Sequence, residues 1–572
     1  MRSRLAVLLV ASTVLVAIAG AGLLAGSPNL RAKALDRLFG EMPNGVALQG
    51  TLGDADSVLV HVDTRAAGRP ISPYIYGVAG ADAQVLRELG ATLNRWGGNP
   101  SSRYNWVNGH AWNAGRDWEF RNVNYLGSDD SAADLFVSEA VSTGVLPLMT
   151  VPMIGWVSSN GRNEVRSVGV PAHGGPAIRP GSAAIAGYDP ASNRQLTSVA
   201  SLPRKPGPMV DHPDPADPTV YQDEWIHHLV TQFASQPSAV NLVAMDNEPD
   251  LWSETHADVH PVRMGYDDMF QTFESYSTAV KAQAPSARVL GPDVSGWTSY
   301  MYSALDRGTD NFRTHADRLA HGDQPFLAWW LARVAQEDRA RGSRSLDLLD
   351  VHFYPQALEV DSAAHDPATQ ALRIRSTRSL YDPNYTDESW IDQPVMLIPR
   401  LKSWIAQNYP GTGLAITEYR WGGEGDASGA VALAQVLGIF GREGVDVASY
   451  WRFPKPNSPA GAAFRLYGNF DGRGSRFGDL SLPATSNRPE VSVFAARNSK
   501  TAAIDLMLVN GSLSRNASVG LDVIVATSAI KLFQVAGGSA DIVEKDLPSL
   551  RAPLSLPPGS VTLVHIVPAG RS

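Results

Sequence analysis

Two glutamates of this chain each follow a short apolar run. Glu248 lies in Val-Ala-Met-Asp-Asn-Glu-Pro at 243–249, and Glu418 lies in Leu-Ala-Ile-Thr-Glu-Tyr at 414–419. A carboxyl group that emerges where a buried barrel strand ends is held at the rim, where side chains do chemistry. Glycoside hydrolysis needs two such groups: one stays protonated to donate to the leaving oxygen, and the other is ionised to attack or to activate water. We therefore expect Glu248 and Glu418 to form a catalytic pair.

Residues near these glutamates suit a sugar substrate. Asn247 precedes Glu248 and can hydrogen-bond to a sugar hydroxyl, and Tyr354 ends another apolar run, from which it could reach a neighbouring carboxylate. An aromatic face beyond a strand end can stack on a pyranose ring. The tryptophans predicted to do so lie at or just beyond strand ends: Trp96, Trp252, Trp421 and Trp451.

Other chemistries fit the sequence less well. His256 and His260 have the spacing of a zinc helix, but Pro261 follows at once and no third ligand is evident nearby. The sequence has no cysteine, no Gly-x-Ser-x-Gly elbow and no Gly-Lys dipeptide, which argues against thiolate sites, a serine hydrolase and a phosphate loop. We expect no cofactor in catalysis, while a structural divalent cation at an unknown place stays open.

The charge balance excludes one class of partner. The net charge is -9, the isoelectric point is about 5.8, and no long basic run is present. A nucleic-acid binder would show a basic patch or stripe, so no nucleic acid is expected. A neutral polysaccharide fits better, and no protein partner is evident.

The N-terminus has the composition of an export signal. Arg2 and Arg4 precede an apolar run at 5–24, and Ala-Gly-Ala at 19–21 is a candidate cleavage site. We predict a signal peptide or N-terminal anchor over 1–26 and a linker over 27–56. The expected location is extracellular, with membrane attachment only if the segment stays uncleaved, since about 18 apolar residues can span a bilayer.

The rest of the chain alternates apolar runs with helical patterns. This order predicts parallel strands joined by crossover helices, and their number indicates a (β/α)8 TIM-like barrel over 73–455. Beyond it, strict alternation as in Ile504, Leu506 and Leu508 predicts an antiparallel β-sandwich over 456–572. A strand within 57–72 is expected to join that sandwich. The predicted barrel strands lie near 74–78, 91–96, 145–153, 240–247, 288–292, 346–354, 413–418 and 445–451.

Two long connections follow predicted strands and should lie over the ligand-binding face. The Gly- and Pro-rich stretch 157–218 either walls a groove or is a disordered surface insertion. The stretch 356–392 carries aromatic and guanidinium groups that suit sugar contacts: Arg373, Arg375, Arg378, Tyr381, Tyr385 and Trp390.

A set of longer stretches occurs in a specific order. They include Asn-Arg-Trp-Gly-Gly-Asn at 94–99, Asp-Asn-Glu-Pro-Asp-Leu-Trp at 246–252, Leu-Asp-Val-His-Phe-Tyr-Pro at 349–355, Asp-Glu-Ser-Trp at 387–390 and Ile-Thr-Glu-Tyr-Arg-Trp-Gly-Gly at 416–423. In these stretches the chain resembles glycoside hydrolase family 44, secreted bacterial endo-β-1,4-glucanases that combine a barrel with a β-sandwich. The resemblance covers about residues 70 to 480.

The resemblance implies roles for single residues. Glu248 would be the general acid/base and Glu418 the nucleophile of a retaining enzyme, whose carboxyl groups lie about 5 to 5.5 Å apart rather than about 6.5 to 9.5 Å. His352 and Tyr354, in the match at 349–355, are expected to contact substrate. Asp250 and Arg420 depart from the family pattern, and we expect them to place charge near the groove.

The sequence therefore favours a secreted retaining glycoside hydrolase. It would cut internal β-1,4-glucosidic bonds in cellulose-like or xyloglucan-like polysaccharides by double displacement. One alternative is the same machinery acting on mannan or xylan. Another, of a different class, is a non-catalytic glycan-binding protein, although binding alone needs neither an acid nor a nucleophile.

Overall fold

The computed structural model describes residues 57–109, 111–113, 122–124, 132–161, 188–189, 194–195 and 198–569. The predicted signal or anchor and the linker lie outside the described residues, as does much of the 157–218 connection. Among the described residues, no helix is both long and apolar enough to cross a membrane.

Eight parallel strands close into a barrel, which confirms the predicted fold class. The strands are β1 (Gly77–Ala79), β2 (Leu93–Trp96), β3 (Leu146–Val151), β4 (Leu242–Met245), β5 (Arg288–Val294), β6 (Leu348–Phe353), β7 (Gly413–Tyr419) and β8 (Val447–Tyr450). A helix of the outer layer follows each strand: α1 (Ala83–Leu89), α2 (Ala132–Ser142), α3 (Gln222–Gln232), α4 (Tyr266–Gln283), α5 (Phe326–Arg341), α6 (Leu397–Asn408), α7 (Ala427–Glu443) and α8 (Pro459–Gly468). Further helices in the connections are Trp252–Thr255, Trp297–Met301, Ala316–Ala320 and Pro367–Arg375.

Strand alternation separates a barrel interior from a helix-facing layer. Every second residue of a strand points to the same side, so Leu242 and Ala244 pack inside the barrel while Val243 and Met245 join the core under the helices. The inner cluster is small and entirely apolar. Towards the carboxyl ends of the strands the buried residues become polar, as with Arg95 on β2 and Asp350 on β6. This change marks the end of the barrel where chemistry is possible.

The described part of the 157–218 connection is ordered next to β3. Strand Ser198–Leu202 pairs with Trp156–Ser158 and with Thr219–Tyr221 in a small sheet. Arg103 from the β2 connection donates to the hydroxyl of Ser198 at 2.6 Å. These residues therefore build part of the wall beside the carboxyl end of the barrel.

The C-terminal region forms two facing sheets. The larger has the strand order Arg69–Pro70, Leu480–Leu482, Val491–Arg497, Ile504–Asn510, Val561–Pro568, Thr527–Val535, Val543–Asp546, and the smaller has Ala484–Ser486, Ser57–Val62, Ala517–Val523, Leu554–Leu556. Apolar residues of both sheets share one core. Ser57–Val62 runs parallel to Ala517–Val523, so the smaller sheet is mixed rather than purely antiparallel. Helix α8 lies within the range predicted as sandwich, and the boundary therefore falls between Gly468 and Leu480 rather than at 455.

The larger sheet is covered on both faces. One face packs on the smaller sheet, and the other, through residues such as Phe494 and Met507, packs in the same core as helix α7. A Cβ atom added at Gly438 of α7 would lie 2.3 Å from Cδ2 of Phe494. Only a residue without a side chain allows this close approach between barrel and sandwich.

Replacing Gly438 by valine is expected to lower the free energy of unfolding by about 1–3 kcal/mol, because overpacking a filled core forces side chains and backbone to move. Thermal and denaturant unfolding would measure the change. Gly520→Val is the control, since the nearest atom to a Cβ there is 3.7 Å away. Equal loss in the two variants would contradict close packing at this interface.

Candidate active site

Glu248 stands on a turn just beyond β4. Its backbone has φ +46°, and its N–H donates to the carbonyl of Asp293 at 2.9 Å. Its Oε1 lies 2.9 Å from Nδ1 of His352, and its side chain is 15% exposed. Burial raises the pKa of Glu248 to about 7, although the hydrogen bond and charge of His352 act in the opposite direction. Glu248 can thus hold a proton near neutral pH.

Glu418 lies near the end of β7, where the strand carries an extra residue. Val351 pairs with Ile416 and His352 pairs with Glu418, which leaves Thr417 as a bulge. The Thr417 hydroxyl donates to the Asp350 carboxylate at 2.8 Å inside the barrel. Because the bulge shifts the alternation by one residue, Glu418 also points inward.

Two donors bind the carboxylate of Glu418. Nη1 of Arg95 lies 2.6 Å from Oε1, and the hydroxyl of Tyr354 donates to Oε2 at 2.8 Å. The Glu418 side chain is 6% exposed. A guanidinium and a phenol at these distances stabilise a negative charge on Glu418, whereas Glu248 has no arginine partner among its described hydrogen bonds. The two glutamates therefore have unlike surroundings.

The two glutamates converge from opposite sides of the barrel rim. Three atoms lie within 4.8 Å of one another: one carboxylate oxygen of Glu248, one of Glu418 and a ring nitrogen of His352. This spacing is near the roughly 5 to 5.5 Å of a retaining pair and well below the roughly 6.5 to 9.5 Å of an inverting pair. The geometry allows both groups to act on one glycosidic bond.

His352 joins the two glutamates to a third carboxylate. Nε2 contacts Oδ1 of Asp293, and Nδ1 lies 3.5 Å from Oε2 of Glu418 in addition to its contact with Glu248. Burial alone would lower the pKa of His352, but Glu418, Asp293 and the hydrogen bonds together raise it well above its usual value. The carboxylates of Glu248, Asp293 and Glu418 around the ring thus favour its protonated form.

Asn247 belongs to the floor of the site. Its Oδ1 accepts from Nη2 of Arg95 at 3.0 Å and from the N–H of Gly98 at 3.1 Å, and its Nδ2 donates to Asn99 at 3.3 Å. Below it, Asp246 accepts from the hydroxyl of Ser102 and from two backbone N–H groups. These contacts fix the turn that carries Glu248.

Three of the four predicted stacking tryptophans are buried. Trp96 is 4% exposed and packs edge-on against Tyr104, Trp252 is 1% exposed beside His260, and Trp421 is 2% exposed with its indole N–H donating to Ser376. Their position at strand ends does not indicate whether each ring faces the groove or packs into the protein core. The structure leaves them little surface for a sugar, so we withdraw them as stacking platforms.

Trp451 and Trp390 keep part of their surface exposed to solvent. Trp451 is partly exposed, and its ring lies against Gly98, where an added Cβ would be 2.5 Å from Cη2. Trp390 is 45% exposed, and its indole N–H donates to Gln356, whose own side chain donates to the carbonyl of Tyr354. Trp390 is thus tied to the residue that contacts Glu418. The sequence indicated it only as one member of the 356–392 connection.

Several charged residues predicted near the groove are structural instead. Arg373 is fully buried and donates to the carbonyls of Val360 and Trp421, so it clamps two loops together. Asp250 is buried and accepts from Ser295 and Ser299, which removes its charge from the groove. Arg375 differs from these two residues, since its side chain is 43% exposed while it pairs with Glu388 at 2.6 Å.

The sequence-based search also missed two site residues. Arg95 lies inside the matched stretch 94–99 but was not assigned a role, and Asp293 follows the predicted end of strand five. Both are fully buried. An arginine and an aspartate at the ends of two non-neighbouring strands, β2 and β5, were the available signal, but that both point into the barrel becomes visible only once the strand register is known.

Metal ligation has one candidate set among the described residues: Glu248, His352 and Glu418. A cation there would have to replace the hydrogen bond between His352 and Glu248. His256 and His260, which have zinc-helix spacing, are not part of any group of three ligands in the described ranges. The structural divalent cation stays a prediction.

Comparison with known proteins points to one family. Residues 111–357 match the model of glycoside hydrolase family 44. The solved structure of CelM2, a bifunctional glucanase-xylanase from a metagenome library, is 34% identical, with a TM-score of 0.79 and coverage of 90% of this chain and 100% of that chain. A Paenibacillus polymyxa xyloglucanase from family 44 is 30% identical, with a TM-score of 0.78 and the same coverage.

Two curated relatives are longer than the matched region. Endoglucanase A of Paenibacillus lautus is 31% identical over 80% of this chain and 64% of its own length. Beta-mannanase/endoglucanase A of Caldicellulosiruptor saccharolyticus is 30% identical over 82% of this chain, which spans only 35% of that protein. The similarity to the xyloglucanase extends over that protein's full length and over 90% of this chain. The chain therefore belongs to glycoside hydrolase family 44.

Proposed function

We propose that this chain is a retaining glycoside hydrolase that cleaves internal β-1,4-glucosidic bonds of cellulose-like or xyloglucan-like polysaccharides by double displacement. The observation that carries the proposal is the convergence of Glu248 and Glu418, with carboxylate oxygens within 4.8 Å of each other. This spacing is shorter than the roughly 6.5 to 9.5 Å at which an inverting pair accommodates its water molecule. The short spacing supports direct attack on the sugar by one of the carboxylates.

In the first step Glu418 acts as the nucleophile. A carboxylate oxygen of Glu418 attacks the anomeric carbon, and the carboxyl group of Glu248 donates its proton to the departing glycosidic oxygen. Arg95 and Tyr354 hold the attacking group in a fixed orientation. The products are a glycosyl ester on Glu418, an ionised Glu248 and a shortened chain with a free hydroxyl.

In the second step Glu248 acts as a base. It removes a proton from water while the water oxygen attacks the anomeric carbon, so that the ester bond to Glu418 breaks. The His352 cation, 2.9 Å from Oε1, stabilises the ionised form of Glu248 between the two steps. The sugar leaves with its original anomeric configuration.

Support for the substrate class comes from two relatives: one is named an endoglucanase, and the P. polymyxa xyloglucanase has also been solved with xyloglucan. Trp390 and Trp451 offer aromatic surfaces on the same rim. Such polymers do not cross membranes, which fits the expected export of the chain.

The proposal is tested with a polysaccharide panel of cellulose derivatives, xyloglucan, mannan and xylan. We expect a rapid fall in viscosity with xyloglucan or a soluble cellulose, and NMR should show the β-anomer as the first product. An α-anomer as first product would refute double displacement. Hydrolysis confined to mannan or xylan would favour the alternative suggested by the relatives named mannanase and glucanase-xylanase. Tight binding without hydrolysis would favour a glycan-binding protein.

A further inference from the structure

Asp293 is a buried carboxylate that the mechanism above does not use. It lies on β5 with no exposed surface, and its φ of +58° is rare for a residue with a side chain. Its carbonyl accepts the N–H of Glu248 at 2.9 Å, and its carboxylate contacts Nε2 of His352. One residue therefore touches both the backbone of Glu248 and the side-chain partner of Glu248.

The conformation of Asp293 comes from a bulge. Pro292 pairs with Asp350 and Val294 pairs with Val351, so Asp293 is the extra residue of β5. Bulges bend a strand locally and redirect a side chain, and they concentrate next to active sites. Residues held in sparsely populated backbone regions are often found at functional sites.

We propose that Asp293 is a positioning residue for the acid/base group: its carboxylate orients His352, which holds Glu248, and its carbonyl fixes the turn on which Glu248 stands. The inference rests on the function proposed above. Only an imidazole protonated on both nitrogens can donate to Asp293 and to Glu248 at the same time. Without the Asp293 carboxylate, His352 loses the partner that fixes its ring orientation and its charge.

The groups around His352 come from several strands. Those that face its ring or backbone are Arg95 from β2, Glu248 beyond β4, Asp293 from β5, Tyr300 beyond β5, Asp350 from β6 and Glu418 from β7. Arg95 lies 3.3 Å from Nε2 and opposes a positive charge on the ring. Removing Asp293 would take away one of the carboxylates that offset this repulsion, so the pKa of His352 should fall even though Glu418 and Glu248 still raise it.

Two variants distinguish the role of the Asp293 carboxylate from that of its backbone carbonyl. Asp293→Gly removes the carboxylate but keeps the carbonyl, and glycine adopts the left-handed conformation without strain. Asp293→Asn keeps the shape and removes the charge. With xyloglucan or cellulose we expect kcat/KM to fall about 100-fold in D293G, because a shift of about 1 Å from the reactive geometry can cost that much. The loss in D293N should be smaller.

The decisive readout uses an aryl β-cellobioside with a 2,4-dinitrophenolate leaving group, which needs no protonation. Impaired acid/base action should leave kcat/KM for this substrate nearly unchanged, while kcat and KM fall together because the second step becomes slow. Azide attacks the glycosyl ester without a base, so it should restore kcat. Glu248→Ala should show the same pattern in stronger form.

Asp323→Gly is the matched control, since Asp323 also has a left-handed backbone, with φ +56°, but its side chain is 62% exposed. It should keep full activity. Equal losses on polysaccharide and aryl glycoside in the Asp293 variants, without an azide response, would overturn the inference, as would failure of both variants to fold. An inactive wild type would instead overturn the proposed function, and the inference with it.

Discussion

Glu418→Gln is expected to lower kcat on xyloglucan or cellulose by roughly 10⁴-fold or more, the scale of loss when a covalent nucleophile is removed from a hydrolase. The amide has the shape of the carboxylate but cannot form the glycosyl ester. Tyr354 and Arg95 surround this position, so the isosteric change should leave the groove intact. Calorimetry with a xyloglucan oligosaccharide should show that binding is retained.

Glu359→Gln is the control for this prediction. This substitution also replaces a carboxylate by an amide, but Glu359 is exposed and lies in the connection after β6. It should leave kcat within about two-fold, as is usual for surface substitutions away from special features. Unchanged turnover in E418Q would refute the assignment of the nucleophile, and loss of binding in E418Q would show that the substitution disturbs the groove.

Glu248→Gln is expected to lower kcat/KM on polysaccharide by about 10²- to 10⁴-fold, the contribution typical of a general acid or base. In the wild type, kcat/KM should decrease as the pH rises through about 7, because burial raises the pKa of Glu248 to about 7 and the deprotonated form cannot protonate the leaving oxygen. The decrease at high pH should disappear in E248Q, which has no proton to lose.

A pH series of kcat/KM with wild type and E248Q, using xyloglucan, measures both effects. With the aryl glycoside, whose leaving group needs no protonation, kcat/KM should differ little between wild type and E248Q. If kcat/KM of E248Q still decreases near neutral pH, the decrease is caused by the titration of another group. Asp350, whose burial raises its pKa to about 8, is then the candidate.

Much of the scaffold was predictable because its signals are local. Each predicted barrel strand overlaps an observed one, since a strand buried on both faces gives a continuous apolar run such as Leu242–Met245. Glu248 and Glu418 were predictable because they directly follow or end such runs. Helix α8, after the eighth strand, lies in the range that was predicted to be sandwich.

The details of the site depend on register, which single residues do not encode. Thr417 and Asp293 are extra residues in paired strands, and a bulge is defined only by comparison with the neighbouring strand. The tryptophans failed for a related reason: Trp96 and Trp421 end up against neighbouring elements because a shift of one position changes the side on which a ring lies.

The pairing of Ser57–Val62 with late strands has a consequence for how the protein is made. The backbone N–H of Leu59 donates to the side chain of Asn487, 428 positions further along the chain. A ribosome releases the early strand before it has synthesised the barrel, and the strand's partners emerge only after the barrel is complete. Because contacts between distant segments slow folding, closure of the smaller sheet should be the last and slowest event of biogenesis. Until then an unpaired apolar edge would stay exposed, and we expect newly made chains to be most prone to aggregation at this stage.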